Sequence, residues 1–83
     1  MNPIKKLRIE TLKLSLKEMS LLTDLSYETL VRVENGRVKK IPKKMLEILN
    51  GLGYCDEVIS LDYGEWLHRE QQKVKNSFHT STK

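Results

Sequence analysis

The chain reads as an all-α protein, and three observations say so. Capped segments of helical period follow one another from residue 3 to residue 75. No stretch alternates apolar and polar residues as a half-buried strand would, and the β-branched residues are scattered. Finally, two helix starts stand close together, Ser15 followed by Glu18 and Ser26 before a second run, so the middle of the chain reads as two short helices joined by a tight turn. Eighty-three residues leave room for one small domain with a thin core.

The elements follow in order. A first helix spans about residues 3–12, with Pro3 in the first turn, where its missing N–H costs nothing, and with Ile4, Leu7 and Thr11 or Leu12 facing the core. A second spans 16–23. Ser15 and Glu18 have the spacing of a capping box, Leu14 and Met19 that of a hydrophobic staple, and Met19 and Leu22 are the expected buried pair. A third spans 27–35 behind Ser26, with Leu25 and Leu30 repeating the staple and Leu30 and Val33 turned inward. Each serine cap contributes about 1 kcal/mol. Asn35-Gly36 then reverses the chain, glycine being free to take positive φ. A fourth helix opens near Pro42, carries Met45, Leu46, Ile48, Leu49 and Leu52, and closes at Gly51 and Gly53. A short fifth covers 56–61 with Val58, Ile59 and Leu61.

After Leu61 the composition changes, which predicts a boundary there. Tyr63, Trp66, Leu67 and Val74 fit one face of a separate amphipathic helix over 62–75. Two uses of that face stay open: it completes the core, or Tyr63, Trp66 and Leu67 form the seam of a homodimer. Residues 76–83 are polar and turn-rich, and the expectation is a disordered tail.

Composition narrows the function classes. No apolar run approaches the length of a membrane span, and no secretion pattern opens the chain, so no membrane partner is expected. Cys55 is alone and makes no internal disulfide, which fits a reducing cytoplasm. His68 and His79 stand far apart with no matching cysteines, so no metal site is expected. No glycine-rich phosphate loop, nucleophile motif or paired carboxylates suggest an enzyme or a cofactor. The net charge of +4 is unevenly placed: residues 1–50 hold 11 Lys/Arg against 6 Asp/Glu, and residues 51–83 hold 4 against 5. The densest run is Arg37 to Lys44, with Arg37, Lys39, Lys40, Lys43 and Lys44 and no acid. Such runs are often only solvated loops. This one begins where the third helix ends, which suits contact with a nucleic-acid backbone.

Two short helices with a fixed turn are how a chain aims one helix away from its own core, the geometry of a helix-turn-helix. Ser15, Glu18, Met19, Ser20, Leu25, Ser26, Thr29, Leu30, Arg32, Glu34, Asn35 and Gly36 resemble the pattern of the lambda-repressor/Cro-like helix-turn-helix family, also called the Xre family. The resemblance covers about residues 4–61 and is tightest over 15–36. It implies a five-helix lambda-repressor-like domain with the C-terminal amphipathic helix added. There are departures: Leu16 replaces a phosphate-binding glutamine, Asp24 a turn glycine and Ser20 a small alanine, and one extra residue between Arg8 and Ser15 extends helix 1 or its loop. Asp is among the few residues that visit the left-handed region cheaply.

The resemblance implies a sequence-specific regulator of transcription, a small phage-, plasmid- or prophage-type repressor in a bacterial cytoplasm, bound to double-stranded DNA as a homodimer on an inverted repeat. On that match Tyr27, Glu28 and Arg32 point to the groove floor, with Thr29 at its edge. Arg32 suits guanine O6 and N7, and Glu28 a cytosine amino group. The plainer reading of Arg32 is an i,i+4 ion pair with Glu28 on a solvated face. Ser15, Lys17, Ser26 and Asn35 join Arg37, Lys39, Lys40, Lys43 and Lys44 as candidate phosphate contacts. Arg8, Glu34 and Gly36 take structural roles, Glu34 pairing with Arg8 beneath the third helix. The rival class is an antitoxin-like or adaptor module that binds a protein partner, which the apolar character of Tyr27, Val31 and Val33 supports; Val31 has no assigned role.

Overall fold

Folding of the first helix is organised by Asn2. Its Oδ1 accepts from the backbone N–H groups of Ile4 (2.7 Å) and Lys5 (3.3 Å), so it caps a helix that Pro3 opens. In the computed structural model, which describes the backbone of residues 1–81 and the side chains of residues 1–77, five helices follow and no strand occurs among the described residues. α1 (Pro3–Lys6) runs on into a π-helical segment (Leu7–Leu12), α2 is Leu16–Thr23, α3 Tyr27–Glu34, α4 Lys43–Gly51 and α5 Asp56–Ser81.

The π segment takes up the residue that the resemblance counts as extra between Arg8 and Ser15. A π turn closes i→i+5 and so holds one residue more than an α turn over the same rise. It ends where Lys13 takes the left-handed conformation (φ 55°) and the Lys13 and Leu14 N–H groups both donate to the Arg8 carbonyl. The extension thus lies inside the helix, and Arg8 stays on the buried side.

The core is one cluster of Ile4, Met19, Leu30, Val33, Ile41, Met45, Leu49 and Tyr63, one or more from every helix and one from the loop after α3. α1 packs on α5 and α3, α2 on α3 and α4, and α4 on α5. With so few buried residues, unpaired polar groups would be costly, and no buried side-chain nitrogen or oxygen among the described residues lacks a partner. Several expected core positions face outward instead: Leu22, Leu52, Val58 and Leu61 are exposed.

Two boundaries differ from expectation. The expected break after Leu61 does not occur, and 56–61 and 62–75 are parts of one helix. No proline separates them, and burial of Tyr63 with half-burial of Ile59 holds the helix to the core across the join. Nor do residues 76–81 form a disordered tail; they continue the same helix, whose hydrogen bonds need no tertiary partner. Thr82 and Lys83 lie outside the described residues. At 1.5 Å per residue α5 is about 39 Å long, and it accounts for much of the molecule's 48 Å long axis.

Candidate nucleic-acid interface

The α2–α3 unit is built by local polar contacts that its sequence supplies. Ser15 Oγ accepts from Glu18 N–H (3.1 Å) while Glu18 Oε1 accepts from Ser15 N–H (2.9 Å), completing the capping box. The bond from the Ser15 backbone, followed by that from its hydroxyl, holds the Glu18 carboxyl below its ordinary range. Asp24 ends α2 in the left-handed conformation at φ 56°, where the resembled pattern has glycine. The Thr23 hydroxyl donates to the Met19 carbonyl, the Ser20 hydroxyl to the Leu25 carbonyl, and Ser26 caps α3 by accepting from Thr29 N–H (3.2 Å). The turn is therefore hydrogen-bonded on both sides.

The rear of α3 is held at several points. Leu30 and Val33 are fully buried. Arg8 Nε and Nη2 donate to the two carboxylate oxygens of Glu34 at 2.7 and 3.0 Å, and Nη1 donates to the Leu14 carbonyl at 2.9 Å. Both side chains are almost out of water, at 9% and 7% exposure. The Glu34 bond raises the Arg8 pKa further, against the effect of burial. Asn2 Nδ2 donates to the Val33 (2.9 Å) and Glu34 (3.1 Å) carbonyls, so one amide caps the start of α1 and the end of α3. The Tyr63 hydroxyl donates to Val33 and Val38 carbonyls (3.3 and 2.8 Å), and burial raises its pKa. At the Asn35-Gly36 reversal Gly36 has φ +71°, and a Cβ there would stand 2.9 Å from Trp66 Cζ3 and Cη2. Glycine is required at this position twice over, for its conformation and for the indole against it.

The front of α3 is free by contrast. Tyr27, Glu28, Arg32 and Asn35 are exposed. The i,i+4 pair of Glu28 with Arg32 is not formed, and among the described residues neither side chain takes part in a hydrogen bond or ion pair. Thr29 is half-buried, its hydroxyl 2.8 Å from Ser26 Oγ, so the two candidate residues serve each other first. At Ser15 the capping box already occupies both the hydroxyl and the N–H, and it sets the Glu18 carboxylate where an approaching anion would meet it. Val31 is half-buried, and nothing in the structure explains why it is apolar.

The basic segment is fastened rather than loose. Ile41 is buried within it and the Val38 carbonyl is held by Tyr63, while Lys39 and Lys40 are exposed between those two anchors and Arg37 is exposed just before them. Lys43 and Lys44 are exposed in the first turn of α4. Lys44 Nζ stands 3.7 Å from Asp24 Oδ2, a solvated contact worth little. Lys17 is exposed in the first turn of α2.

Of the two uses left open for the face of Tyr63, Trp66 and Leu67, the first is seen: it packs on the core. Tyr63 is 1% exposed and belongs to the core. Trp66 and Leu67 are half-buried against that core and against Gly36, with the Tyr63 and Trp66 ring centroids 5.9 Å apart. Tyrosine there buries its ring while its hydroxyl satisfies two carbonyls of another segment, and that combination fixes it inside the monomer. Sequence reading missed Asn2 and Ile41. The Asn-Pro start was a legible cap signal, but its second bond, 31 residues away, was not.

Among the described residues no group of three or more His, Cys, Asp or Glu is placed to hold a metal ion, and no helix is long and apolar enough to cross a membrane. No family model matches the chain, and no curated protein or solved structure is found to be similar to it.

Proposed function

We propose that this chain is a sequence-specific DNA-binding regulator of transcription that sets α3 in the major groove of double-stranded DNA, as a small repressor acting on an inverted repeat. One observation carries the reading: Glu28 and Arg32 project, unpaired, from a helix whose opposite side is fixed at Arg8, Asn2 and Tyr63. Base readout needs side chains with unused hydrogen-bonding capacity on an element whose position is already settled. Arg37, Lys39 and Lys40, on a loop anchored by Ile41 and Tyr63, supply cations at fixed places for backbone phosphates.

Thr29 and Ser26 take a secondary part on this reading, because their hydroxyls are engaged in the cap. Selection of bound duplexes from a random pool tests the proposal. A palindromic consensus, or a single half-site, supports it; recovery of no sequence overturns it. A second reading, a module that docks a protein partner, is favoured by Leu21, which is 77% exposed on α2 beside exposed Leu22. It becomes the working reading if the pool returns nothing.

A further inference from the structure

The loop after α3 runs back along one flank of α5. Asn35 lines a groove with Gln71, Val74 and Lys75, and Gly36 sits against Trp66 and Leu67. Further on, the Val38 carbonyl meets the Tyr63 hydroxyl, and Lys39 and Lys40 share a surface hollow with Ser60 and Tyr63. The exposed cations Arg37, Lys39 and Lys40 therefore stand on a segment that borders α5 from its distal half back to Ser60.

The flank that the loop follows has a composition of its own. At the helical repeat Ser60, Gly64, His68, Gln71 and Lys75 fall along one line of α5, and all five are exposed. None is acidic and none is a large apolar residue. The acids of this stretch, Asp62, Glu65 and Glu70, lie on other sides of the helix. Glu70, which also reaches the groove, is half-buried with Lys73 Nζ 3.4 Å from its Oε1. Lys75 makes no ion pair among the described residues. Nothing stands within 4 Å of where a Gly64 Cβ would be, so the middle of the line is low and open. Hydroxyl, amide and cationic side chains are the groups that meet phosphate and sugar in protein–DNA contacts. The line also continues the front of α3. Glu28, Arg32 and the capping Asn35 share one line of that helix, and Asn35 ends it at the groove. Phosphate strands wall the major groove, so a duplex that receives α3 brings one of them past this end.

We infer that this flank of α5 carries the sugar–phosphate backbone of double-stranded DNA past the end of α3, with Gln71 and Lys75 adding contacts to those of Arg37, Lys39 and Lys40. The inference rests on the DNA reading above. Its residues on α5 lie almost wholly beyond the stretch that the family resemblance covers, about 4–61.

The experiment is binding of the full chain to duplex DNA of random sequence over a series of salt concentrations. Lys75→Gln should lower the slope of log affinity against log salt by about one unit. Arg69→Gln removes the same charge from the other flank of α5 and should leave the slope unchanged. Gln71→Glu sets a carboxylate against the strand and should weaken binding about fivefold at low salt. All three positions are exposed and the new residues are good helix formers, so thermal melts should match wild type. Lys39→Gln is measured beside them. A lowered slope for Lys39→Gln with an unchanged one for Lys75→Gln overturns this inference alone and leaves the groove to a protein partner. Equal losses in Lys75→Gln and Arg69→Gln overturn it too, because net charge rather than a track along α5 would then set the affinity. A wild type that binds no duplex overturns the DNA reading together with it.

Discussion

The two sides of α3 are built on opposite plans. Its rear is held by buried Leu30 and Val33, by the two-pronged Arg8–Glu34 bond, by the Asn2 amide on its last carbonyls, and by Trp66 against Gly36. Its front bears Tyr27, Glu28 and Arg32, exposed, with no hydrogen bond or ion pair made by Glu28 or Arg32 among the described residues. An eight-residue helix is marginal by itself, and these attachments supply the tertiary support it needs. The contrast teaches that the attachments of α3 are confined to one of its sides. Rear substitutions should therefore cost stability, and front ones should cost only binding.

The sharpest way to break the contrast is at Glu34. Glu34→Ala leaves the Arg8 guanidinium buried without its carboxylate, and the expected loss is about 3–5 kcal/mol in denaturant unfolding. The double change Arg8→Met with Glu34→Met should recover most of it, because replacing both charges with apolar groups removes the unpaired ion. Equal losses in the single and double variants would show that packing, not the pair, fixes this end of α3.

Gly36→Ala comes next. The positive φ and the indole at 2.9 Å both oppose a side chain, and about 1–3 kcal/mol should be lost. Trp66 is the chain's only tryptophan, so its fluorescence reports whether the junction of α3 and α5 has opened.

At the front, Arg32→Ala should leave the melting temperature unchanged. It should weaken binding to the selected sequence by about 1–3 kcal/mol while sparing random DNA. An equal loss on both would make Arg32 a phosphate contact.

Tyr63→Phe removes the hydroxyl from the Val33 and Val38 carbonyls and should cost about 1 kcal/mol. It also tests a pH effect. Burial raises the Tyr63 pKa, so the folded state favours the neutral phenol. The associated stability is fully present below the ordinary tyrosine value of about 10 and is lost as pH rises through the folded value. Wild type should lose stability over that alkaline range, and Tyr63→Phe should lose less.

The smallest effects belong to the anchored basic loop. Lys39→Gln or Lys40→Gln should each lower the slope of log affinity against log salt by about one unit, and equally on selected and random DNA. Lys43 and Lys44 lie in the first turn of α4, where the helix dipole disfavours cations, so neutralising them should leave the melt unchanged or slightly raised.

Local chemistry was legible in the residues alone. The bounds of α2, the capping box of Ser15 with Glu18, the Ser26 cap and the inward Leu30 and Val33 all involve groups within a turn or two of one another. Such contacts depend on side-chain type and spacing, which a sequence states outright. The Arg8–Glu34 pair was legible only through the resemblance, since no spacing rule joins residues 26 apart. Tertiary structure decided the rest. Composition alone suggested a break after Leu61, but Tyr63 carried the helix across it by reaching carbonyls at Val33 and Val38. The same contact moved Tyr63 from a possible interface into the core and pinned the loop that holds the lysines. Which side of α5 turns inward depends on the shape of the cleft left by α1, α4 and the loop after α3. A helical period reports that a face exists; only the partners that bury it determine which face it is.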